Sequence, residues 1–504
     1  MTHNFSKKLT KVVKPWLKKH FILVLILSAF IAAAISLTIG LMQSVWFDEA
    51  YSITLAKNSF SGIISLTSVD VHPPFYYFLL HSWGSLFGWS EIALRSLSAL
   101  AMGGAIVFAG LLVKKIFGYR AAYFTLPFIV FSPLLLRYGF EIRMYAVAAL
   151  IGIAATYVLV SARLTQNVKR SKILYIIYAL LVALGMFTLY YMALLWLAHF
   201  VWLAYQTYKD KEKLLKAKWL WAYGLSIILF CPWLIIFIKQ MTNGALAAIS
   251  QSMTLENLFG IVSFNFLYRP VWQLGAIYSL LIMFVVVMIS YLSIRAFQLI
   301  DGKQKKYLSL LVCYILVPIA ILTLIGLVKP MYTERYLAHI SIGGLMYLGV
   351  ISAVVTREAS WKIKLSSGLL IVILIMGVFQ LSIVGNYNFQ RLQKPEVKQI
   401  AASITGCGDD VIVLAADPYV ATELSYYMSS CKINFYSEYA SLGGGYAPLS
   451  NSDLRVSNPK SELVSSREIY YVHYGDAKLD MPANFTSVSQ RTNGNLTVEK
   501  FIAN

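Results

Sequence analysis

Residues 21–42 read FILVLILSAFIAAAISLTIGLM and are followed at once by residues 43–52, QSVWFDEAYS. At 1.5 Å per residue, an uncharged helix of this length covers roughly 30 Å, the hydrocarbon thickness of a bilayer. Six lysines precede it (Lys7, Lys8, Lys11, Lys14, Lys18 and Lys19). That resembles the charged start of a signal peptide, but a cleavable apolar core runs only roughly 7–15 residues. The stretch therefore reads as a retained span with its basic end inside. It delivers two acids, Asp48 and Glu49, to the opposite membrane boundary.

The rest of the chain extends this pattern. Of 504 residues, 58% are hydrophobic and 13% charged, against roughly 25% charged in soluble domains. That excludes an ordinary cytosolic enzyme, a disordered chain and a disulfide scaffold. Further apolar runs fall at about 92–113, 121–136, 144–162, 173–188, 190–207, 219–238, 271–294, 308–328, 337–355 and 365–385, so about eleven spans are expected. The block 173–208 is divided in two because basic residues flank both its ends. The segment His72–Gly88 opens with Pro73-Pro74 and reads as a juxtamembrane or re-entrant helix. Segments assigned inside hold 25 Lys and Arg against 7 in the outer loops. The net charge of +20 thus reports membrane orientation, not nucleic-acid binding. Eleven spans that start inside leave the tail outside.

The organisation that follows is a basic cytoplasmic N-terminus (1–20), a transmembrane core (21–385) whose first outer loop is 43–90, and an extracytoplasmic domain (386–504). In that last part EVKQIAASI and ATELSYYM read as helices, and DVIVLAA, KINFYSE and REIYYVHYG as strands, which predicts a small α/β domain. Cys407 and Cys431 both lie there, and their spacing leaves open whether they are bridged. Cys231 and Cys313 fall within spans and read as packing residues. With no Cys-x-x-Cys in the chain, a thiolate metal site is not expected.

Ionisable residues gather at one membrane face. WFDEAYS contributes Asp48 and Glu49. RYGFEIRMY contributes Arg137, Glu141, Arg143 and Tyr145. KPMYTERYLAH contributes Lys329, Glu334, Arg335, Tyr336 and His339, and VDVHPPFYY adds Asp70 and His72. Carboxylates with cations at the lipid boundary suit an enzyme that handles a lipid phosphate. A carboxylate takes a proton from an acceptor hydroxyl, and Arg and His neutralise a departing phosphate. A transporter would carry such groups nearer the bilayer midplane. Each residue also has an ordinary reading. Asp48 and Glu49 can cap a helix, and His72 and Arg143 can pair with neighbours such as Glu141. Arg335 can snorkel, and Arg95 can anchor the second span or touch the lipid phosphate. Gly443–Gly445 reads as a loop, since no Walker lysine follows.

Taken together, WFDEAYS, HPPFYYFLLHSWGSLFGWSEIALRSLSAL, EIRMY and ERYL resemble bacterial members of glycosyltransferase family 39. This family lies in the C-type superfamily with protein O-mannosyltransferases and lipid A aminoarabinose transferase. The resemblance covers about residues 20–385; ADPYVATELSYY and GGGYAPLS are similar to outer domains of some members. It implies a one-step inverting transfer from a polyprenyl-phosphate sugar to an acceptor at the outer face of a bacterial cell membrane. It also implies Asp48 as base, with Glu49 orienting the acceptor or holding Asp48. His72, Arg143 and Arg335 are implied at the donor phosphate, with Glu141, Tyr145 and Tyr336 supporting the substrate cavity. His72 departs from the aminoarabinose transferase, which has a lysine there, and its charge depends on pH. A divalent ion at Asp48 and Glu49 is conceivable, though without the Asp-x-Asp of nucleotide-sugar enzymes. Expected partners are the lipid-linked donor, the bilayer, and a cell-envelope glycan, lipid-linked polymer or protein acceptor. The competing readings are a polytopic lipid or glycan flippase and an inert envelope-assembly protein.

Overall fold

The computed structural model describes residues 15–16, 18–242, 252, 254–269, 275–357, 361–384, 396–408, 410–439, 442, 445–449, 453–464 and 466–504. The lysines before residue 15, the start of the expected span at 271, and residues 443 and 444 of the glycine run lie outside that set.

The first part of the chain is a helical bundle. It opens with α1 (Phe21–Leu41), α2 (Phe47–Ala56), α3 (Phe60–Val69), α4 (Phe75–Phe87), α5 (Glu91–Phe117), α6 (Tyr119–Val130), α7 (Pro133–Tyr138) and α8 (Tyr145–Leu164). It continues with α9 (Val168–Thr188), α10 (Met192–Lys209), α11 (Leu220–Thr242), α12 (Leu255–Phe266), α13 (Ala276–Leu299), α14 (Gly302–Gly326), α15 (Ala338–Val355) and α16 (Trp361–Val384). Among the described residues, nine of these are long and apolar enough to cross a membrane. The two expected spans outside that nine are α10 and the run 121–136.

That second run differs from its expected form. It is broken into α6 and α7 because Ser132 caps a new helix, its hydroxyl accepting from Leu135 N, and Pro133 occupies the first turn. The break turns the chain toward the EIRMY corner. The segment after Pro73-Pro74 forms the short helix α4 of 13 residues.

Local chemistry fixes the helix ends. Ser90 caps α5 at Ala93 N, Glu91 lies in its first turn and Lys114 and Lys115 in its last, all matching the helix dipole. Gly118 then turns the chain at φ 87, a conformation that favours glycine. α5 packs against α1, α6 and α8, while α15 packs against α6 and α8. Gly349 permits the α15–α6 approach, since a Cβ there would lie 2.3 Å from Thr125 Cα.

The second part is an α/β domain with α17 (Val397–Ala401), α18 (Pro418–Tyr427) and α19 (Pro459–Glu462) around one sheet. Its strands are β1 (Val411–Ala415), β2 (Ile433–Tyr436), β3 (Arg455–Val456), β4 (Glu468–Tyr474), β5 (Phe485–Asn493) and β6 (Leu496–Ala503), in the order β3-β2-β1-β4-β6-β5. The first four strands in that order are parallel, and β6 and β5 close the sheet as an antiparallel hairpin. The hairpin is the element the sequence reading leaves out, although its turn at Gly494-Asn495 carries a recognised hairpin pair. The domain sits on the bundle through α18: Tyr426 OH donates to Trp89 O, and Tyr427 OH to Glu91.

Cys407 and Cys431 are bonded across a separation of 24 residues. A bridge closing a loop of that length stabilises a domain by roughly 3 kcal/mol through the unfolded chain. The Cys407→Ser variant is therefore expected to lose about that much stability in the sheet domain while the bundle stays intact. Protease cleavage of the tail at graded urea concentrations measures this.

Candidate active site

The start of α2 is where the site is built. Asp48 and Glu49 are in its first turn, and Glu49 accepts from Trp46 N at 3.4 Å, so Glu49 does cap its helix. It also does more. Its second oxygen accepts from Ile142 N at 3.0 Å, and Arg95 Nη2 lies 3.2 Å from the first. Glu49 and Arg95 are both 0% exposed at their side chains. Arg95 also donates to Gly40 O, to Gln43 O at 3.0 Å and to Glu91 at 3.4 Å. Beside this pair, Glu141 accepts from Trp46 Nε1 at 3.1 Å and from Arg137 at 3.0 Å. These groups form a buried frame that joins the end of α1, the start of α2, α5 and the 137–143 corner. Of the two readings of Arg95, the structure has the anchor.

Above that frame lies a more accessible set. Arg335, in the 3₁₀ turn Glu334–Leu337 that leads into α15, places Nη1 2.6 Å from Asp48 Oδ2. Their side chains are 25% and 17% exposed, which separates them from the sealed Glu49–Arg95 pair. Arg143 donates to Ser52 Oγ at 3.0 Å and to the Asp48 backbone oxygen at 3.4 Å. Its Nη2 is 3.3 Å from His72 Nε2, and His72 Nδ1 is 3.6 Å from Asp70. Arginine only donates, so Nε2 of His72 accepts and the imidazole proton belongs on Nδ1, facing Asp70. His72 is thus neutral here. Burial pushes it below its ordinary value, with Asp70 acting in the opposite direction. Burial also pulls Arg143 down, but Tyr77 and Asp48 outweigh it and hold the guanidinium well above its usual range.

Four sequence segments therefore converge. Asp48, His72, Arg143 and Arg335 form one connected cluster, while Glu49 and Glu141 lie in the frame beneath it. Tyr336 stacks on Tyr191 at 4.4 Å and lies 6.3 Å from Tyr145 and 6.4 Å from His72. The buried hydroxyls of Tyr76, Tyr77 and Tyr145 have no hydrogen-bond partner among the described residues. An unmatched buried hydroxyl costs about 1–3 kcal/mol, so these three, all in the field of Arg143, are polar groups that the described residues leave unsatisfied. Sequence reasoning passed over Ser52, Tyr76 and Tyr77. The only signal for the tyrosines was their place just beyond His72-Pro73-Pro74-Phe75.

The two acids proposed for a divalent ion do not face one point. Glu49 is engaged by Arg95, Trp46 N and Ile142 N, and Asp48 by Arg335. Among the described residues, no three His, Cys, Asp or Glu side chains gather as a metal site.

The helical bundle, with nine described helices long and apolar enough to cross a membrane, and the appended sheet domain together have the fold of C-type glycosyltransferases, as the matches to solved structures show. Residues 71–236, which include His72 and Arg143, match the family described as dolichyl-phosphate-mannose-protein mannosyltransferase. The structure is similar to that of ArnT from Cupriavidus metallidurans bound to undecaprenyl phosphate, with TM-score 0.63 and 11% identity over 95% of this chain and 98% of that one. It matches the apo state of the same protein with TM-score 0.62 and 12% identity, over 96% and 98%. It also matches the Archaeoglobus fulgidus oligosaccharyltransferase in complex with zinc and sulfate, with TM-score 0.50 and 12% identity, over 89% and 68%. No curated protein matches the chain by sequence. The C-type resemblance carried by WFDEAYS, HPPFYY, EIRMY and ERYL thus agrees with both the family match and the fold.

Breaking the sealed pair is expected to be severe. Glu49→Ala leaves Arg95 buried with Glu91, 3.4 Å away, as its remaining carboxylate, a loss at the lower end of roughly 3–5 kcal/mol. Thermal unfolding in detergent is expected to show a large fall for Glu49→Ala and for Arg95→Ala, with their combination far from additive.

His72 sets a pH dependence. Its folded value lies below the unfolded value of 6.5, so its contribution to stability is complete above about pH 6.5 and is lost as pH falls through it. Protonation also sets an imidazolium against Arg143. Melting curves between about pH 5 and 8 are expected to show an acid-side loss that His72→Asn reduces.

Proposed function

We propose that this protein transfers a sugar from a polyprenyl-phosphate donor to an acceptor hydroxyl at the outer face of a bacterial cell membrane. The observation that carries the reading is the contact of Asp48 with Arg335, within one cluster that also holds Arg143 and His72. A single accessible carboxylate set among cations supplies both halves of a displacement. The acceptor oxygen attacks the anomeric carbon, the carbon–oxygen bond to the phosphate breaks, and the acceptor proton passes to Asp48. The polyprenyl phosphate leaves with the bonding electrons, and the sugar is inverted in one step. Arg335 and Arg143 stabilise the added negative charge of the phosphate. Glu49 holds the first turn of α2 so that Asp48 faces this cluster. In bacteria the donor lipid is undecaprenyl phosphate. The acceptor is a cell-envelope glycan, a lipid-linked polymer or a protein hydroxyl. A donor made on the cytoplasmic face needs a separate flippase.

Asp48 bound to an arginine is a poor base. In this reading the donor phosphate draws Arg335 toward itself and releases the carboxylate, so the donor binds before proton transfer. The test uses purified protein in nanodiscs with a panel of radiolabelled polyprenyl-phosphate sugars and envelope extracts. Asp48→Asn is expected to lower turnover by about 10²–10⁴-fold without changing folding. Arg335→Ala is expected to raise the donor KM as well as lower kcat, because the phosphate loses a charged partner. Equal turnover by wild type and Asp48→Asn would remove Asp48 as the base.

A further inference from the structure

The sheet domain reaches the catalytic loop with one side of α18. Tyr419, Glu423 and Tyr427 follow at four-residue spacing and so share a helix face. All three act on residues 45–47, immediately before Asp48. Tyr427 OH lies 2.6 Å from Val45 N, which donates to it. Phe47 N donates to Glu423 Oε1 at 3.2 Å. The rings of Tyr419 and Phe47 stack at 4.3 Å with 7° between their planes. From α17, Lys398 N donates to Ser44 Oγ at 3.2 Å, and that hydroxyl donates to Glu396 at 2.9 Å.

A helix leaves its first N–H groups without partners inside the helix. At α2 they are shared out: Glu49, from within, serves Trp46 N, and Glu423, from the other domain, serves Phe47 N. Glu423 is only 2% exposed, and its other oxygen accepts from Tyr474 OH of β4 at 2.7 Å. Two domains can dock through apolar groups at lower desolvation cost. Here a buried carboxylate is committed instead to the peptide group that adjoins Asp48.

We infer that Glu423 is a positioning residue for Asp48, so that the sheet domain is a working part of the transferase site. Glu423 fixes the amide of Phe47, the stacked Tyr419 fixes the ring of Phe47, and Tyr427 fixes Val45. Together they hold the entry of α2 from one side while Glu49 holds it from the other. The inference rests on the reading of Asp48 as the base. A displacement of about 1 Å at a catalytic group costs on the order of 10²-fold in rate.

The experiment compares Glu423→Ala, Glu423→Gln, Asp48→Asn and the double variant Asp48→Asn/Glu423→Ala, as full-length protein in nanodiscs. Transfer kinetics, melting temperature and amide exchange over residues 45–50 are measured on each. The expected result is a kcat about 10²-fold lower for Glu423→Ala, with donor KM close to wild type and a melting temperature lower by only a few degrees. Faster exchange over 45–50, recovery of rate in Glu423→Gln and no further loss on top of Asp48→Asn complete the expectation. Glutamine keeps the oxygen that accepts from Phe47 N, which makes it the conservative rescue. Wild-type kcat in Glu423→Ala, or a full additional loss in the double variant, overturns the positioning role while leaving the base assignment standing. Full turnover by Asp48→Asn removes the base assignment instead, and unchanged exchange over 45–50 in Glu423→Ala then overturns the hold on α2 as well. If Glu423→Ala does not fold, Tyr427→Phe removes only the hydroxyl on Val45 N. A rate loss of roughly fivefold with faster exchange supports the inference, and unchanged values for both overturn it.

Discussion

Everything at the active end of this bundle is referred to one buried ion pair, Glu49 with Arg95. Two charges removed from water carry a penalty of several kcal/mol each, which mutual attraction offsets only when the remaining donors and acceptors are also matched. Here they largely are. Arg95 takes the carbonyls of Gly40 and Gln43 at the end of α1, and Glu49 takes the amides of Trp46 and Ile142. The last turn of one span, the first turn of the next helix, a second span and the EIRMY corner are tied to a single point. Successive helical residues differ in direction by about 100°, so fixing Glu49 toward Arg95 leaves Asp48 one direction to take. That direction is toward Arg335.

The cluster has a polarity that follows from this arrangement. On the side of α15 and the corner, Arg335 and Arg143 present donors and positive charge, with the neutral His72 beside Arg143. On the side of α18, Glu423 accepts from Tyr474 OH and aromatic rings gather; Tyr446 lies 5.5 Å from Phe47, and Tyr419 6.0 Å from Tyr474. Asp48 stands at the boundary between the two. An anionic phosphate is favoured on the first side and repelled by the second, whereas a neutral, hydroxyl-rich molecule is tolerated by the second, where aromatic faces and acceptors predominate. A group-transfer site needs that kind of asymmetry, because two substrates must approach the same carbon without exchanging places.

How much of this was legible in the sequence depended on distance along the chain. Spans were readable because each is a local property of length and hydropathy, and the acids, arginines and His72 were readable because charge at a membrane boundary is conspicuous. The break at Ser132-Pro133 was written in cap chemistry but lay hidden inside an apolar run. Arg95 could not be resolved, since an arginine near the start of a span looks alike whether it anchors the helix or touches lipid. Only its partner, 46 residues earlier, decides, and that pairing is a tertiary fact. The same holds for α18. A stripe of Tyr419, Glu423 and Tyr427 looks like one side of any amphipathic helix, and nothing local says that it reaches the bundle while the adjacent Val420 and Leu424 pack into the core of the sheet domain.

On the proposed reading, the Asp48–Arg335 contact sets two demands against each other. A base needs a carboxylate free to accept a proton, and a guanidinium at 2.6 Å disfavours the protonated form. Yet an accessible, unpaired carboxylate at a lipid boundary would be costly to keep and would repel the anionic head of the donor. The arginine resolves both demands if it is shared. Paired with Asp48, it screens the negative charge that a phosphate would otherwise meet. Drawn toward the phosphate, it leaves the carboxylate basic when a sugar is in place to be attacked. On the proposed reading, the proton acceptor is therefore set by the donor itself. The rigidity of the surrounding frame is what allows one side chain to move between the two without the helix that carries Asp48 moving with it.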